Sequence, residues 1–129
     1  ITEYKLKNEN QNLLVINIHG INFVPAYILA RQLKQACEKI KKHVGPIIFA
    51  GDFNTWTKKK TKIMTTYLNN LGMKEVIFPN GSERMKSKFT RRFVDFIWTR
   101  GLAHEDAYVW GNLTGSDHKA LSATFHLIK

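Results

Sequence analysis

Four short segments place ionisable or amide side chains at the ends of apolar runs: Asn17-Ile18-His19, Asp52-Phe53-Asn54, Val94-Asp95-Phe96-Ile97 and Ser116-Asp117-His118. Strand ends are where an α/β architecture gathers an active site. Asp52 and Asn54 lie two apart, so in an extended segment both side chains point to one side while Phe53 turns into the core. A carboxylate beside an amide can hold a divalent cation or an attacking water and also donate a hydrogen bond to a phosphoryl oxygen. The competing reading is a plain turn, since Gly, Asp and Asn are common loop formers. Asp95 sits inside Phe93-Val94-Asp95-Phe96-Ile97-Trp98, and a carboxylate in an apolar strand needs a partner. His118 would serve, with Asp95 holding the imidazole in one tautomer; a purely structural acceptor is the alternative. Asp117 cannot easily pair with its neighbour His118 on a regular strand. His19 ends an apolar strand just before Gly20, which points it at a cleft unless it is a satisfied core histidine.

The elements that must carry these groups follow from periodicity. Residues 2–7 and 13–18 read as strands around the polar turn Asn8-Glu9-Asn10-Gln11-Asn12, and the unbroken run Leu13-Leu14-Val15-Ile16 suits a strand covered on both faces. After Pro25 the apolar positions Leu29, Leu33, Ala36, Cys37, Ile40 and Val44 fall on one helical face, ended by Gly45-Pro46. Ile47-Ile48-Phe49-Ala50 follows as a second strand. Strand, helix, strand implies parallel pairing. Ile63, Met64, Tyr67, Leu68 and Leu71 predict a second helix over about 60–71, with further strands near 74–78, 93–98, 106–110 and 120–127. Residues 83–92 read as a basic loop.

The chain of 129 residues is 43% hydrophobic and 12% aromatic, enough for one domain with its own core. The single cysteine, Cys37, excludes an internal disulfide and a cysteine metal cluster, and its helical position predicts a buried thiol. No apolar run approaches a membrane span and no signal sequence is visible, so a cytoplasmic location is expected. A formal charge of +10 favours an anionic partner: nucleic acid, a phosphorylated small molecule or an acidic lipid surface.

Taken in order, these motifs resemble the endonuclease/exonuclease/phosphatase (DNase I-like) superfamily. Gly51-Asp52-Phe53-Asn54 is similar to its GDxN signature, Ser116-Asp117-His118 to its SDH signature, Arg92-Phe93-Val94-Asp95-Phe96-Ile97 to its R-x-[aliphatic]-D-[aromatic] strand, and Val15-Ile16-Asn17-Ile18-His19 to its N-x-H strand. The longer strings around Asn17-Ile18-His19-Gly20-Ile21-Asn22-Phe23 and Asn54-Thr55-Trp56 look most like its bacterial YafD-like branch. The resemblance implies a DNase I-like α/β sandwich of which residues 1–129 supply the C-terminal half, as one mixed sheet with two helices. It implies a metal-dependent phosphodiester hydrolase, nuclease-like, with Mg²⁺ or Mn²⁺. By it, Asp52 orients and deprotonates water and Asn54 steadies phosphoryl oxygens. His118 stabilises the transition state with Asp95 as its partner, and His19 contacts the scissile phosphate or protonates the leaving group. Asp52, Asn54, Asp117 and His118 form the metal set, and Asn22 helps bind phosphate. The superfamily's principal metal-ligand Glu has no counterpart before His19. The implied partner is then a missing N-terminal half, or a second chain, covering an otherwise open sheet face.

Basic residues flank two of the motifs: Lys58, Lys59, Lys60 and Lys62 after Asp52, and Arg84, Lys86, Lys88, Arg91 and Arg92 before Asp95. They suggest a phosphate-tracking rim, with Arg91 and Arg92 binding substrate and Trp56 and Phe89 stacking on it; the alternative is a solvated basic face with Trp56 in a packing role. Nucleic acid is the expected substrate. A lipid or small-molecule phosphate, or a catalytically inactive fragment that only binds nucleic acid, are the alternatives.

Overall fold

A computed structural model describes residues 1–128; Lys129, the last residue of the expected domain, lies outside the described residues. The elements run β1 (Thr2–Lys5), β2 (Asn12–His19), α1 (Ala26–Lys42), β3 (Ile47–Asp52), α2 (Lys58–Asn69), β4 (Lys74–Glu75), a 3₁₀ turn (Gly81–Glu83), β5 (Asp95–Arg100), β6 (Leu102–Trp110) and β7 (Ala120–Leu127). Five strands form a mixed sheet in the order β1-β2-β3-β5-β4, with β2 and β3 parallel and the other pairings antiparallel. The parallel pair is the one the crossover through α1 requires. The fold class is α/β, with a mixed sheet and two helices.

Alternation along the strands sorts the apolar residues onto two faces. Leu14 and Ile16 of β2, Phe49 of β3, and Phe96 and Trp98 of β5 pack with Leu29, Leu33 and Ile40 of α1 and Met64 and Leu68 of α2. Cys37 is buried on α1, as its position in the helical stripe predicts. On the other face, Ile97 joins Val76, Phe78, Ala107 and Val109, and Ile48, Ala50, Leu121, Ala123 and Phe125 pack against that cluster while staying partly exposed.

The expectation of one mixed sheet is corrected here. β6 and β7 pair only with each other, as a separate two-stranded sheet. The chain reverses at Gly101 directly after β5, and the inward residues of β6, Ala107 and Val109, land on the face opposite the helices. A strand laid over a face buries its apolar side there instead of extending the sheet edge. The face expected to lie open is thereby covered in part. Two shorter differences concern element ends. β4 is only two residues long, Lys74–Glu75, although the Val76 N–H still donates to the Ile97 carbonyl at 2.8 Å in the same register with β5. The second helix begins at Lys58, earlier than its apolar stripe indicates, because Thr57 caps it and accepts from the Lys60 N–H at 3.2 Å.

Candidate active site

Sheet order brings the dispersed motifs together. In register, His19 at the end of β2 neighbours Asp52 at the end of β3, which neighbours Asp95 at the start of β5. Three adjacent strands therefore present three titratable side chains in a row. The turn before β7 adds His118, whose backbone N–H is held by the Ser116 hydroxyl at 3.1 Å.

The contacts are specific. His118 Nδ1 lies 2.8 Å from Asp95 Oδ2, while its Nε2 faces Asp52 Oδ2 at 3.9 Å. His19 Nε2 lies 3.7 Å from the same Asp52 oxygen. Asp52 Oδ1 is engaged elsewhere, accepting the Asn54 N–H at 2.7 Å. One carboxylate oxygen is thus held by the backbone while the other has two imidazoles within 4 Å. Burial alone would draw the His118 pKa down, but the hydrogen bond to Asp95 and the charges of Asp95, Asp52 and Asp117 outweigh it and raise it. Burial also pushes the Asp95 carboxyl up, against the pull of His118 and Arg84.

Asn54 has a positional part as well. It is buried with φ +48, and its side-chain amide donates to the Gly20 carbonyl at 2.5 Å. The Gly20 N–H in turn donates to the Asp52 carbonyl at 2.6 Å. A Cβ on Gly20 would come within 2.6 Å of the Phe53 carbonyl oxygen, and one on Gly51 within 2.0 Å of the Ile18 oxygen. The two strand ends approach this closely only because both positions are glycine.

The resulting cavity, of about 390 Å³, is lined by His19, Asn22, Asp52, Asn54, Asp117 and His118 on its polar side and by Phe23, Trp56, Met85, Phe89 and Val94 on its apolar side, with Ser87 and Lys88 at the basic loop. Asp52, Asp95 and His118 offer ligand atoms within 4.8 Å of one another and are the group that could hold a metal ion among the described residues. Asn54 and Asp117 line the same cavity, and the Asp117 carboxylate does not join that cluster. Arg91 and Arg92 line a neighbouring cavity with Thr61, Glu75 and Arg84, and the Arg92 Nε donates to the Thr61 hydroxyl at 3.2 Å.

Two basic residues lie inside the protein, away from the expected rim. Arg84 stacks 4.1 Å from the Phe93 ring and 5.2 Å from the Phe96 ring, pairs with Glu75 at 3.3 Å, and donates to the Asp95 backbone carbonyl at 3.4 Å. Its side chain is only 11% exposed. Lys60 is 2% exposed, with Nζ 4.8 Å from the centre of the Trp56 ring and no hydrogen-bond partner, and burial lowers its pKa. Charge alone could not separate these two from their exposed neighbours; the fold gathers Phe78, Phe93 and Phe96 around Arg84, while Lys60 packs on Trp56, four residues before it. Phe23 and Met85 likewise carried no signal of a site in the sequence.

Comparison with known proteins places the chain beside a set of bacterial proteins. It is 36% identical over 126 residues to a UPF0294 protein of Erwinia tasmaniensis, covering 97% of this chain and 45% of that protein. A UPF0294 protein of Yersinia enterocolitica is 34% identical over 126 residues, covering 97% and 46%, and one of Vibrio vulnificus 35% over 130 residues, covering 98% and 43%. No family model matches the chain. The chain spans a little under half the length of these relatives. They correct the resemblance drawn from the motifs: similarity runs along essentially the whole chain to proteins named UPF0294, so the assignment to a fragment of an endonuclease/exonuclease/phosphatase domain is withdrawn.

Proposed function

We propose that this chain carries a phosphodiester-hydrolysing site, nuclease-like in chemistry, at the joined ends of β2, β3 and β5. The observation that supports this most is Asp52 Oδ2 lying 3.7 Å from His19 Nε2 and 3.9 Å from His118 Nε2. A carboxylate acceptor with two imidazoles suits in-line attack of water on a phosphoryl centre. Asp52 takes a hydrogen bond from the attacking water and orients it. His118, its Nδ1–H held by Asp95 and its pKa raised, keeps a proton at Nε2 for the phosphoryl oxygens. His19, with its side chain 83% exposed at the cavity mouth, is free to reach the leaving oxygen.

A divalent cation fits the donor chemistry. The carboxylate oxygens of Asp52 and Asp95 favour a hard ion such as Mg²⁺ or Mn²⁺. Asp52 and Asp95 would hold it, with Asp117 and Asn54 at hand in the cavity and His118 beside it keeping its proton, and a bound cation would supply charge neutralisation at the phosphoryl group. The activity of the longer proteins that share this sequence is part of the same proposal. So is the covering of the half-exposed Ile48, Ala50, Leu121, Ala123 and Phe125 by a further segment or a second chain.

The test is hydrolysis of a labelled oligonucleotide with Mg²⁺ or Mn²⁺, compared with the same reaction in chelator. Asp52→Ala and His118→Ala should each lower the rate by about 100-fold or more. Turnover that survives Asp52→Ala, or no turnover with either metal, removes the reading.

A further inference from the structure

The site has an apolar half that the proposed chemistry leaves unused. Phe23 is 82% exposed and Phe89 is 88% exposed, more than any other large apolar side chain among the described residues, and both line the catalytic cavity. Phe23 holds φ +52, a left-handed conformation uncommon for a bulky residue, and its N–H is taken by the Asn22 side chain at 2.9 Å. Its ring stands 6.2 Å from that of Trp56, tilted by 51°, and Trp56 is backed by the buried Lys60 ammonium. Phe89 rises from the basic loop beside Lys88. That loop is anchored to the same wall, because the Thr90 hydroxyl donates to the Trp56 carbonyl and also contacts Ser87.

We infer that Phe23 and Phe89 form a stacking clamp for an unpaired base next to the phosphate that His118 contacts and onto which Asp52 directs water, which makes single-stranded nucleic acid the substrate class. Two exposed rings lining one cavity offer π-faces to any base, whereas bases within a duplex are already stacked on their neighbours. Lys88 and the net charge of +10 supply the complementary electrostatics for the backbone. The inference rests on the proposed hydrolytic site for which phosphate is cleaved, but base capture is measured without cleavage.

The experiment is equilibrium binding, in chelator, of a single-stranded oligodeoxynucleotide carrying 2-aminopurine, whose fluorescence is quenched on stacking. The comparisons are an abasic oligonucleotide of equal length, the matching duplex, and phosphatidylserine/phosphatidylcholine vesicles as competitor. Single strand should bind more tightly than either the abasic strand or the duplex. Phe23→Ala and Phe89→Ala should each weaken it by about fivefold to a hundredfold and reduce the quench. Both side chains are largely exposed, so both variants are expected to fold, and circular dichroism checks this. Equal affinity for the abasic strand, preference for duplex, or displacement of the strand by vesicles with unchanged binding in the Phe variants overturns the clamp. An unchanged quench in both Phe variants overturns the clamp alone, whereas hydrolysis that survives His118→Ala overturns the hydrolytic reading and leaves the binding result standing.

Discussion

At the scale of single residues, the Asp95–His118 contact of 2.8 Å governs both chemistry and pH response. The folded pKa of His118 is raised. Its stabilising contribution is therefore fully present below the ordinary histidine pKa of about 6.5 and fades as pH rises through the folded value. In chelator, the difference in thermal midpoint between the native protein and His118→Gln should be largest near pH 6 and shrink above neutrality; a difference that grows with pH would contradict the assignment. Asp95→Asn removes the charge at nearly constant shape and should cost about 100-fold in hydrolysis, while flattening the pH dependence of stability that His118 contributes. Gly20 acts through space alone. Gly20→Ala forces the β2 and β3 ends apart and should destabilise the protein by about 1–3 kcal/mol, seen in urea denaturation, while lowering activity further than the stability loss explains.

At the scale of elements, the site depends on what packs behind it. Arg84 ties the 3₁₀ turn, β4 and β5 together through Glu75, three phenylalanine rings and the Asp95 carbonyl. Arg84→Ala should therefore lose about 2 kcal/mol, and Arg84→Lys should recover only part of it, because an ammonium lacks the planar face that stacks on Phe93. On the helical side, Leu33 and Leu68 are fully buried, and substitution of either by Ala should cost about 2–5 kcal/mol in denaturant titration. Several elements were legible beforehand. The α1 stripe and the alternation in β7 are local patterns; β7 forms where its pattern lies, and α1 follows its stripe from Leu29 to Ile40 but stops at Lys42, leaving Val44, also expected on that face, outside the helix and exposed. The split of β6–β7 into its own sheet was not legible, since alternation says which side of a strand is apolar and nothing about which surface will receive it.

At the scale of the whole molecule, excess positive charge and an apolar-walled cavity act together. Single-strand affinity should fall steeply with salt, the slope of log K against log[salt] giving about 0.7 per phosphate neutralised, and Lys88→Ala should flatten it by roughly one phosphate. The slope should be insensitive to Phe89→Ala, which removes stacking and leaves charge untouched. The second face of the sheet remains half-covered, and proteins of about twice this length share the sequence.

By itself the sequence determined the α/β alternation of elements, the parallel β2–β3 pair and the chemical types at the strand ends, because each depends on residues near one another in the chain. It also suggested a family that the relatives do not bear out, since short motifs constrain local chemistry far more than ancestry. Only the tertiary structure decided that His19, Asp52 and Asp95 share a row, that His118 closes it, that Arg91 and Arg92 sit in a neighbouring cavity, and that Lys60 is buried and Arg84 largely enclosed while Phe23 and Phe89 are exposed. Those placements follow from strand order and register across distant segments, and no local pattern encodes which distant segment arrives alongside.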